Sequence, residues 1–432
     1  MSDLLAARLQ MAFSLGFHIL FAVAGIAMPA LMVLAEGRWL RHRHPVDLEL
    51  AKRWSKGAAM LFAVGAISGT VLSFELGLLW PRFMAFAGPI IGMPFSLEGI
   101  AFFLEAIFLG IYLYGWDKVS PRAHWLSGAG VLTSGTFSGA FVVTANAWMN
   151  TPAGFTLVEG KPVDIRPLDA LWNPAAPTEI VHMTLASFLS IGFLVAAIHA
   201  YQLLKRPSEF HRRAFTLALS VGAAAALLQP FSGDFNARQV ARNQPVKLAA
   251  LEGQWETERG APLRIGGLPD DEAEVTRYAL EIPRGLSLLA RHDGNAEIAG
   301  LKAFPREDRP PARVVHVAFQ IMVGCGTILF SVAALAVFLA LRRRASLFEP
   351  WFLRIVVLAG PLGVVALEAG WTVTEVGRQP WIIAHVTRVR DAVTPMPGLR
   401  YSLAAIVVVY ALLSAVVFAT LRSQILEARR AP

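Results

Sequence analysis

The sequence has 432 residues, of which 55% are hydrophobic and only 16% are charged, with a mean hydropathy of +0.52 and a formal net charge of +8. This composition excludes a soluble globular domain and is typical of a polytopic membrane protein. A single cysteine, Cys325, excludes a disulfide framework and any cysteine-based zinc or iron–sulfur site.

Nine apolar segments are long enough to cross a bilayer, and they predict an all-α polytopic fold with nine transmembrane helices. In chain order the predicted spans are residues 13–35, 57–80, 93–115, 125–148, 179–204, 214–230, 314–341, 352–375 and 400–421. Lys and Arg number 19 in the first, third, fifth and seventh loops and the C-terminal tail, against 8 at the N-terminus and in the short opposite loops. The positive-inside rule therefore predicts an N-terminus outside and a C-terminus in the cytoplasm, and it accounts for the net charge without nucleic-acid binding.

One connection is much longer than the others. Residues 231–313 contain 13 acidic and 12 basic side chains and no spanning segment, so we expect an extramembrane loop on the outer side. The first half of this loop has a helix-forming composition, and the second half is expected to be loosely ordered. The chain divides accordingly into residues 1–230 with helices 1–6, the outer loop 231–313, and residues 314–432 with helices 7–9.

Two histidines and a methionine lie in the outer halves of predicted spans: His18 in the first, His182 in the fifth and Met322 in the seventh. A histidine and a methionine that enter from the same face can occupy both axial positions of one haem iron, which gives a closed low-spin site. The alternative is structural, because a single histidine in a membrane helix is often only hydrogen-bonded and a methionine usually packs.

The segment Ala366–Trp381 carries Glu375 in an apolar context, where a carboxylate costs about 2.5 kcal/mol or more and usually marks function. Trp371 precedes Glu375 by four residues and shares its helix face. His18 and Glu375 have no evident second axial partner, and a singly ligated haem leaves a position open for oxygen. Alternatively, Glu375 ends its span at the water boundary and pairs with Arg378.

The third span carries Glu98 and Glu105, seven residues apart and therefore on one face two helical turns from each other. Together with Ser138 and Asn146 on the next span, these carboxylates can relay protons from the cytoplasm toward the outer half. Hydrogen bonding between helices is the alternative role.

Several motifs resemble those of subunit I of the cytochrome bd-type quinol oxidases, over nearly the whole chain. They are ARLQ with a histidine ten residues later, FFLEA in the third span, ANAWMN in the fourth, VHMTLAS in the fifth, KLAALEGQWET in the loop, IMVG in the seventh, and GRQPW. GRQPW and KLAALE are the most specific of these motifs.

The resemblance implies three haems. His182 and Met322 match the axial ligands of the low-spin haem b558, and His18 and Glu375 match the ligands of the two high-spin haems. We match His18 to haem d and Glu375 to haem b595, an assignment that the motifs leave open. The short loop and the motif FQIMVG resemble those of the cyanide-insensitive branch of the family, in which a further haem b can replace haem d.

Other positions match residues beside the haems, on the proton path and in the family's quinol-binding loop, or Q-loop. They are Trp371 and Arg378 beside the haems, Glu98, Glu105 and Asn146 at haem-adjacent and proton-path positions, and Lys247 and Glu252 in the loop. Gln320 departs from the family, since familiar members have an arginine two residues before the methionine ligand. The two third-span glutamates are also one residue closer than in the best-known members.

The implied activity is that of a terminal oxidase in the inner, or cytoplasmic, membrane of a bacterium. It oxidises ubiquinol or menaquinol at the outer face and reduces O2 to water with cytoplasmic protons, which generates a proton motive force without pumping. The implied partners are the lipid bilayer and subunit II of the oxidase, with a very small single-span subunit as a further candidate.

Two other classes remain open at this point. A quinol-oxidising cytochrome b that relays electrons without reducing O2 needs two histidine pairs; the fifth span offers His182 and His199, but the seventh offers only His316. A haem-free transporter explains the buried glutamates but neither the pairing of a histidine with a methionine nor the large loop.

Overall fold

The computed structural model describes residues 1–427, and nine helices within this range are long and apolar enough to span a membrane. The nine predicted spans are thus confirmed, whereas residues 428–432 of the predicted C-terminal segment lie outside the described range. The helices are α1 (Asp3–His42), α2 (Pro45–Leu79), α3 (Pro81–Tyr114), α4 (Pro121–Asn150), α5 (Pro167–Leu171), α6 (Ala176–Lys205), α7 (Glu209–Asn243), α8 (Pro245–Leu251), α9 (Gly285–Arg291), α10 (Ala312–Arg342), α11 (Pro350–Ala359), α12 (Leu362–Val376), α13 (Val389–Ala392) and α14 (Leu399–Glu427). The strands are β1 (Thr156–Val158), β2 (Lys161–Val163), β3 (Glu258–Arg259), β4 (Leu263–Ile265), β5 (Leu268–Asp270), β6 (Val275–Arg277), β7 (Leu280–Ile282), β8 (Glu297–Ile298), β9 (Trp381–Ile383) and β10 (Thr387–Arg388). Short 3-10 helices lie at Leu301–Ala303, Arg306–Asp308 and Arg344–Phe348.

Local signals explain where the long helices begin. Pro45, Pro81 and Pro350 occupy the first helical turn of α2, α3 and α11. At that position the fixed φ of proline favours the helix, and its missing N–H is not needed. Ser208 caps α7, because its hydroxyl oxygen accepts the N–H of His211 at 3.2 Å.

The eighth predicted span, residues 352–375, consists of two helices, since α11 and α12 are separated at Gly360 and Pro361. Pro361 has no N–H with which to continue the helical ladder. A side chain at Gly360 would collide with the Cβ atom of Ala197, so glycine allows α11 to approach α6 closely. The break therefore follows from two adjacent residues with different roles.

One compact unit comprises residues 1–85, 101–136 and 392 onward. Within it, α1 packs along α2 and against α14. The Asp3 carboxylate accepts the backbone N–H groups of Gly398 and Leu399 at 3.1 and 3.0 Å, which ties the beginning of α14 to the beginning of α1. This unit carries His18 and Glu105.

The other compact unit comprises residues 86–100 and 137–391. Helix α6 packs along α7 and against α11 and α12, and α10 packs against α7 and α12. This unit carries His182, Met322, Glu375 and the whole of the long loop.

The long loop is an ordered structure. Helix α7 continues through Asn243, so the first part of the predicted loop is helical. Beyond it, three antiparallel strand pairs follow, β3 with β8, β4 with β7 and β5 with β6. The expectation of a loosely ordered second half was wrong, because strands of two or three residues are too short to produce an alternating pattern in the sequence.

An apolar cluster holds the loop against the membrane helices. Leu248, Leu251 and Trp255 of the loop are buried together with Val315 of α10 and Val373 of α12. Burial of these side chains supplies the hydrophobic free energy that fixes the loop over the ends of the two helices.

Candidate functional site

His18 is oriented by a serine on the neighbouring helix. Its Nδ1 atom lies 2.9 Å from the hydroxyl oxygen of Ser68, and that hydroxyl donates to the backbone carbonyl of Val64 at 2.9 Å. Since the serine proton is used on the carbonyl, the hydroxyl oxygen accepts a proton from Nδ1. This tautomer leaves Nε2 unprotonated, as a metal-ligating imidazole requires.

His182 on α6 repeats the same arrangement with α7. Its Nδ1 atom lies 3.0 Å from the hydroxyl oxygen of Ser232, which donates to the carbonyl of Gln229 at 2.9 Å. The side-chain amide nitrogen of Gln229 lies 3.2 Å from Nδ1 and 3.3 Å from Nε2 of the same ring. Nearly equal distances to both nitrogens place the amide over the ring face, so the in-plane lone pair of Nε2 stays accessible.

A glycine lies against each of these side chains and against Met322. A Cβ atom at Gly69 would lie 3.0 Å from Cε1 of His18, one at Gly233 would lie 3.5 Å from Cε1 of His182, and one at Gly370 would lie 3.1 Å from Sδ of Met322. An added Cβ would crowd the imidazole at Gly69 and the thioether at Gly370, whereas at Gly233 it would make an ordinary van der Waals contact. Gly69 and Gly370 thus keep the space around two candidate ligands open, which fits a flat macrocycle bound there.

His182 and Met322 lie on α6 and α10. Each of these helices packs against α7 and against α12, but they make little contact with each other. An imidazole nitrogen and a thioether sulfur are the donor types that would hold the iron of a low-spin haem between two such helices.

Glu375 lies near the end of α12 between two donors. Its Oε1 atom accepts from the side-chain amide of Asn146, and its Oε2 atom accepts from Nη2 of Arg378 at 2.7 Å. The alternative pairing of Glu375 with Arg378 is therefore present. It leaves lone pairs on the carboxylate and N–H donors on the guanidinium available for other partners. Trp371 is half-buried one helical turn earlier on α12.

Two nitrogen donors of Arg378 have no hydrogen-bond partner among the described residues. The residue is 6% exposed, yet its Nε and Nη1 atoms make no hydrogen bond to any residue from 1 to 427. The indole nitrogen of Trp381 is also buried, and it too makes no hydrogen bond to a described residue. Unpaired buried donors on a guanidinium fit an anionic ligand such as the propionates of a haem. On this test the residues present fit the group that the sequence motifs imply.

A chain of polar contacts connects the loop with Glu375. The Lys247 ammonium on α8 donates to Oδ1 of Asn150 at 2.6 Å, and Nδ2 of Asn150 donates to the carbonyl of Asn146 at 3.1 Å. Asn146, in turn, donates to Glu375. Burial lowers the pKa of Lys247 to about 8, although the nearby carboxylate of Glu179 opposes this shift.

Glu252 is the second buried charge of the loop. It is 5% exposed, and its Oε2 atom has no hydrogen-bond partner among the described residues. Burial raises the pKa of the Glu252 carboxyl to about 7, and the Arg264 guanidinium opposes the shift. A carboxyl with a pKa in this range is suited to general base catalysis near neutral pH.

The two carboxylates of α3 have different surroundings. Glu98 accepts from the hydroxyl of Ser138 at 3.2 Å. Glu105 is buried and faces Gly135, where a Cβ atom would lie 3.0 Å from its Oε1 atom. Asn146, which the sequence placed beside these carboxylates, instead contacts Glu375.

Gln320 binds the loop. Its amide oxygen accepts the backbone N–H of Gly266 at 2.9 Å, and its amide nitrogen donates to the carbonyl of Arg264 at 3.0 Å. Sequence reasoning missed this role, and it also missed Ser68 and Ser232. The only available signal for the serines was a Ser-Gly dipeptide within an apolar helix, Ser68-Gly69 and Ser232-Gly233.

The histidines needed for a pure electron relay are engaged elsewhere. Both ring nitrogens of His316 contact backbone carbonyl oxygens, Nδ1 that of Leu251 at 2.7 Å and Nε2 that of Gly266 at 2.9 Å. His199 lies beside His211, with 2.9 Å between their Nδ1 atoms. Because both ring nitrogens of His316 face backbone carbonyl oxygens, neither nitrogen is directed at a haem site.

Imidazoles oriented by serines, a thioether, and a carboxylate beside a buried arginine are side chains of the kind that haem-binding membrane proteins use. The comparisons with known proteins specify this class further. The family model for cytochrome bd terminal oxidase subunit I matches residues 6–429, and the chain belongs to this family.

Relatives match over nearly full length. The chain is 36% identical over 422 residues to a putative cytochrome bd menaquinol oxidase subunit I of Bacillus subtilis, covering 96% of this chain and 95% of that one. It is 28% identical over 477 residues to a cytochrome bd-II ubiquinol oxidase subunit 1 of Escherichia coli, covering 94% and 93%. The solved structure of the bd oxidase from Geobacillus thermodenitrificans matches with a TM-score of 0.94 at 35% identity, covering 100% of this chain and 99% of that one.

The chain is therefore a membrane-embedded subunit of a multisubunit, haem-containing quinol oxidase, with quinol and O2 as substrates. Membership of a terminal oxidase family supports the oxidase over the electron relay and the transporter.

Proposed function

We propose that this subunit oxidises quinol at the loop of residues 231–313, which lies on the outer side of the membrane, and reduces O2 to water with protons from the cytoplasm. The observation that carries the proposal is the polar chain from Lys247 through Asn150 and Asn146 to Glu375, because it joins a buried loop lysine to a candidate iron ligand within one compact unit.

At the loop, Glu252 and Lys247 divide the acid–base work. A quinol that becomes a quinone loses two protons and two electrons. The unpaired Oε2 atom of Glu252 accepts the two phenolic protons one after the other and releases each to the outer side, and its pKa of about 7 keeps a large fraction of the carboxyl ready to do so. The Lys247 ammonium stabilises the negative charge that develops on the phenolic oxygen.

Within the helices, His182 and Met322 would hold the low-spin haem b558. His18 and Glu375 would hold the two high-spin haems, b595 and either haem d or a further haem b. When bound, the haems carry single electrons and supply the iron at which O2 is reduced. Arg378 would pair with propionates through the donors that it does not spend on Glu375.

Protons for water formation enter from the cytoplasmic side along α3. Glu105 and then Glu98 hold them in turn, and the Ser138 hydroxyl orients the Glu98 carboxyl. Two quinols release four protons outside while O2 consumes four from the cytoplasm. Charge is thereby separated across the membrane without a pump.

The partners in this proposal are subunit II, a small single-span subunit, and ubiquinol or menaquinol, in the inner membrane of a bacterium. The relatives described above include a putative menaquinol oxidase and a ubiquinol oxidase, so both quinols are candidates.

The test is to produce the chain together with its subunit II, purify the complex, and measure haem content and oxygen uptake. We expect low-spin and high-spin bands in the reduced-minus-oxidised spectrum and O2 consumption driven by a quinol. A complex without haem, or one with haem that consumes no O2 on addition of either quinol, would refute the proposal. Vesicles with a pH-sensitive dye on one side then test the direction of proton uptake.

A further inference from the structure

A buried acid–base pair lies at the end of α1 that the charge pattern assigns to the cytoplasm. Glu36 of α1, His124 of α4 and Tyr112 of α3 are each no more than 1% exposed, and all belong to the same compact unit. None of these residues has a role in the proposed function. A buried ionisable group in a membrane helix requires an explanation, because burial without function costs free energy.

The hydrogen bonds of His124 determine how many protons the pair holds. Its Nε2 atom lies 2.8 Å from the backbone carbonyl of Tyr112, and its Nδ1 atom lies 2.8 Å from Oε1 of Glu36. The carbonyl only accepts, so Nε2 carries a proton. The contact between Nδ1 and Oε1 requires one more proton between them, because two lone pairs at this distance would repel.

The remaining atoms of the pair are free to exchange a second proton. Oε2 of Glu36 and the hydroxyl of Tyr112 are both buried, and the hydroxyl interacts with the Glu36 carboxylate. With Oε1 engaged by His124, a proton can bind and leave at Oε2, beside the Tyr112 hydroxyl.

The pair is aligned with Glu105 on three helices. Glu36 follows Gly25 by eleven residues on α1, and His124 precedes Gly135 by eleven residues on α4; both glycines face the Glu105 carboxylate. Eleven residues are three helical turns, a rise of roughly 16 Å. Tyr112 follows Glu105 by seven residues, two turns along α3. The pair therefore lies directly between Glu105 and the end of the bundle.

A surface depression lies close to the pair at the cytoplasmic end of the helices. It has a volume of about 470 Å³ and is lined by Leu40, Arg41 and Arg43 at the end of α1 and by Ser120, Pro121 and Arg122 at the beginning of α4. Leu40 is one helical turn from Glu36, and Ser120 is one turn from His124.

From this geometry we infer that Glu36 and His124 form the cytoplasmic entry of the proton path, which accepts a proton at Oε2 of Glu36 and passes it toward Glu105. The proton shared by Nδ1 of His124 and Oε1 of Glu36 leaves Oε2 as the atom at which the next proton binds. This inference rests on the proposed function, since it needs protons to be drawn from the cytoplasmic side.

The test compares three substitutions in the complete oxidase in vesicles, with turnover divided by the low-spin haem signal so that partial assembly does not count. Glu36→Gln keeps size and an acceptor for His124 but cannot carry a proton at neutral pH. Glu36→Asp keeps the acid but shortens the side chain. Glu49→Gln removes the same charge from a half-buried glutamate that pairs with Arg53 and lies outside the pair.

We expect Glu36→Gln to lower turnover at least ~10-fold while haem reduction by quinol stays fast, since loss of a positioned proton carrier typically costs 10²-fold or more. Glu36→Asp should retain more turnover than Glu36→Gln, and Glu49→Gln should equal the unaltered oxidase. If the pair were purely structural, Glu36→Gln would retain more turnover than Glu36→Asp, because Gln preserves the hydrogen bond to His124 better than Asp.

Turnover of Glu36→Gln equal to that of Glu49→Gln would overturn the inference, as would complete loss of haem in both Glu36 variants, which would make the pair structural. Neither result affects the proposed function. Proton consumption by the unaltered oxidase on the opposite side of the vesicle would instead overturn the proposed function, and the entry path with it.

Discussion

Substitution of Ser232 tests whether its hydrogen bond to His182 sets the midpoint potential of the low-spin haem. In Ser232→Ala the imidazole loses the acceptor that lies 3.0 Å from its Nδ1 atom. This hydrogen bond makes the imidazole a stronger electron donor and so stabilises oxidised iron, hence its loss should raise the midpoint potential.

The size of the shift follows from the strength of the bond. A buried neutral hydrogen bond contributes about 1 kcal/mol. This corresponds to roughly 40 mV, since about 1.4 kcal/mol equals about 59 mV for a one-electron couple. The Gln229 amide above the ring cannot replace the serine, because it is a donor at the position where an acceptor is lost.

A spectroelectrochemical titration of the low-spin band measures this shift, and Ser68→Ala is the matched control. Ser68 makes the same contact with His18, so its loss should change a high-spin band and leave the low-spin potential unaltered. An unchanged low-spin potential in Ser232→Ala, or the same low-spin shift in both variants, would refute the reasoning.

Three further predictions use the remaining geometry. Met322→Leu should abolish the low-spin band while carbon monoxide still binds the high-spin irons; a surviving low-spin band would contradict the ligand assignment. Turnover should rise with pH through about 7, because Glu252 acts as the carboxylate and its protonated form predominates below its pKa. Glu252→Gln should lower turnover and remove this rise, whereas Glu256→Gln, an exposed change, should keep both. Gly370→Ala should weaken the low-spin band, since its Cβ would lie 3.1 Å from the sulfur of Met322, whereas Gly324→Ala meets nothing within 4 Å and should leave the band intact.

The membrane spans were predictable because each is encoded locally, by about 20 apolar residues and the charges that flank them. The break at Gly360 and Pro361 was missed, since a short interruption leaves the average hydropathy of the span unchanged. The candidate ligands could be named from residue type and depth in the span. The contacts of these ligands could not, because Ser68 and Ser232 each lie 50 residues from the histidine that they orient.

Asn146 illustrates the same limit. Its position on the fourth span suggested the carboxylates of the preceding helix, which are its neighbours in sequence. In the folded chain it donates to Glu375, 229 residues away, and its carbonyl accepts from Asn150. Helix packing decides which of several nearby carboxylates an amide contacts. A local sequence pattern does not predict that packing.

The surroundings of Glu375 also show why this polar cluster is tolerated within apolar helices. A carboxylate in such a place is stabilised only when donors surround it, and Asn146 and Arg378 provide them. The guanidinium, however, offers five N–H groups, and the described chain supplies an acceptor for Nη2 but none for Nε or Nη1. A buried donor left without a hydrogen bond costs more free energy when it belongs to a cation than when it belongs to a neutral group. The two unpaired donors are therefore the reason for proposing that Arg378 binds a further anion, such as a haem carboxylate.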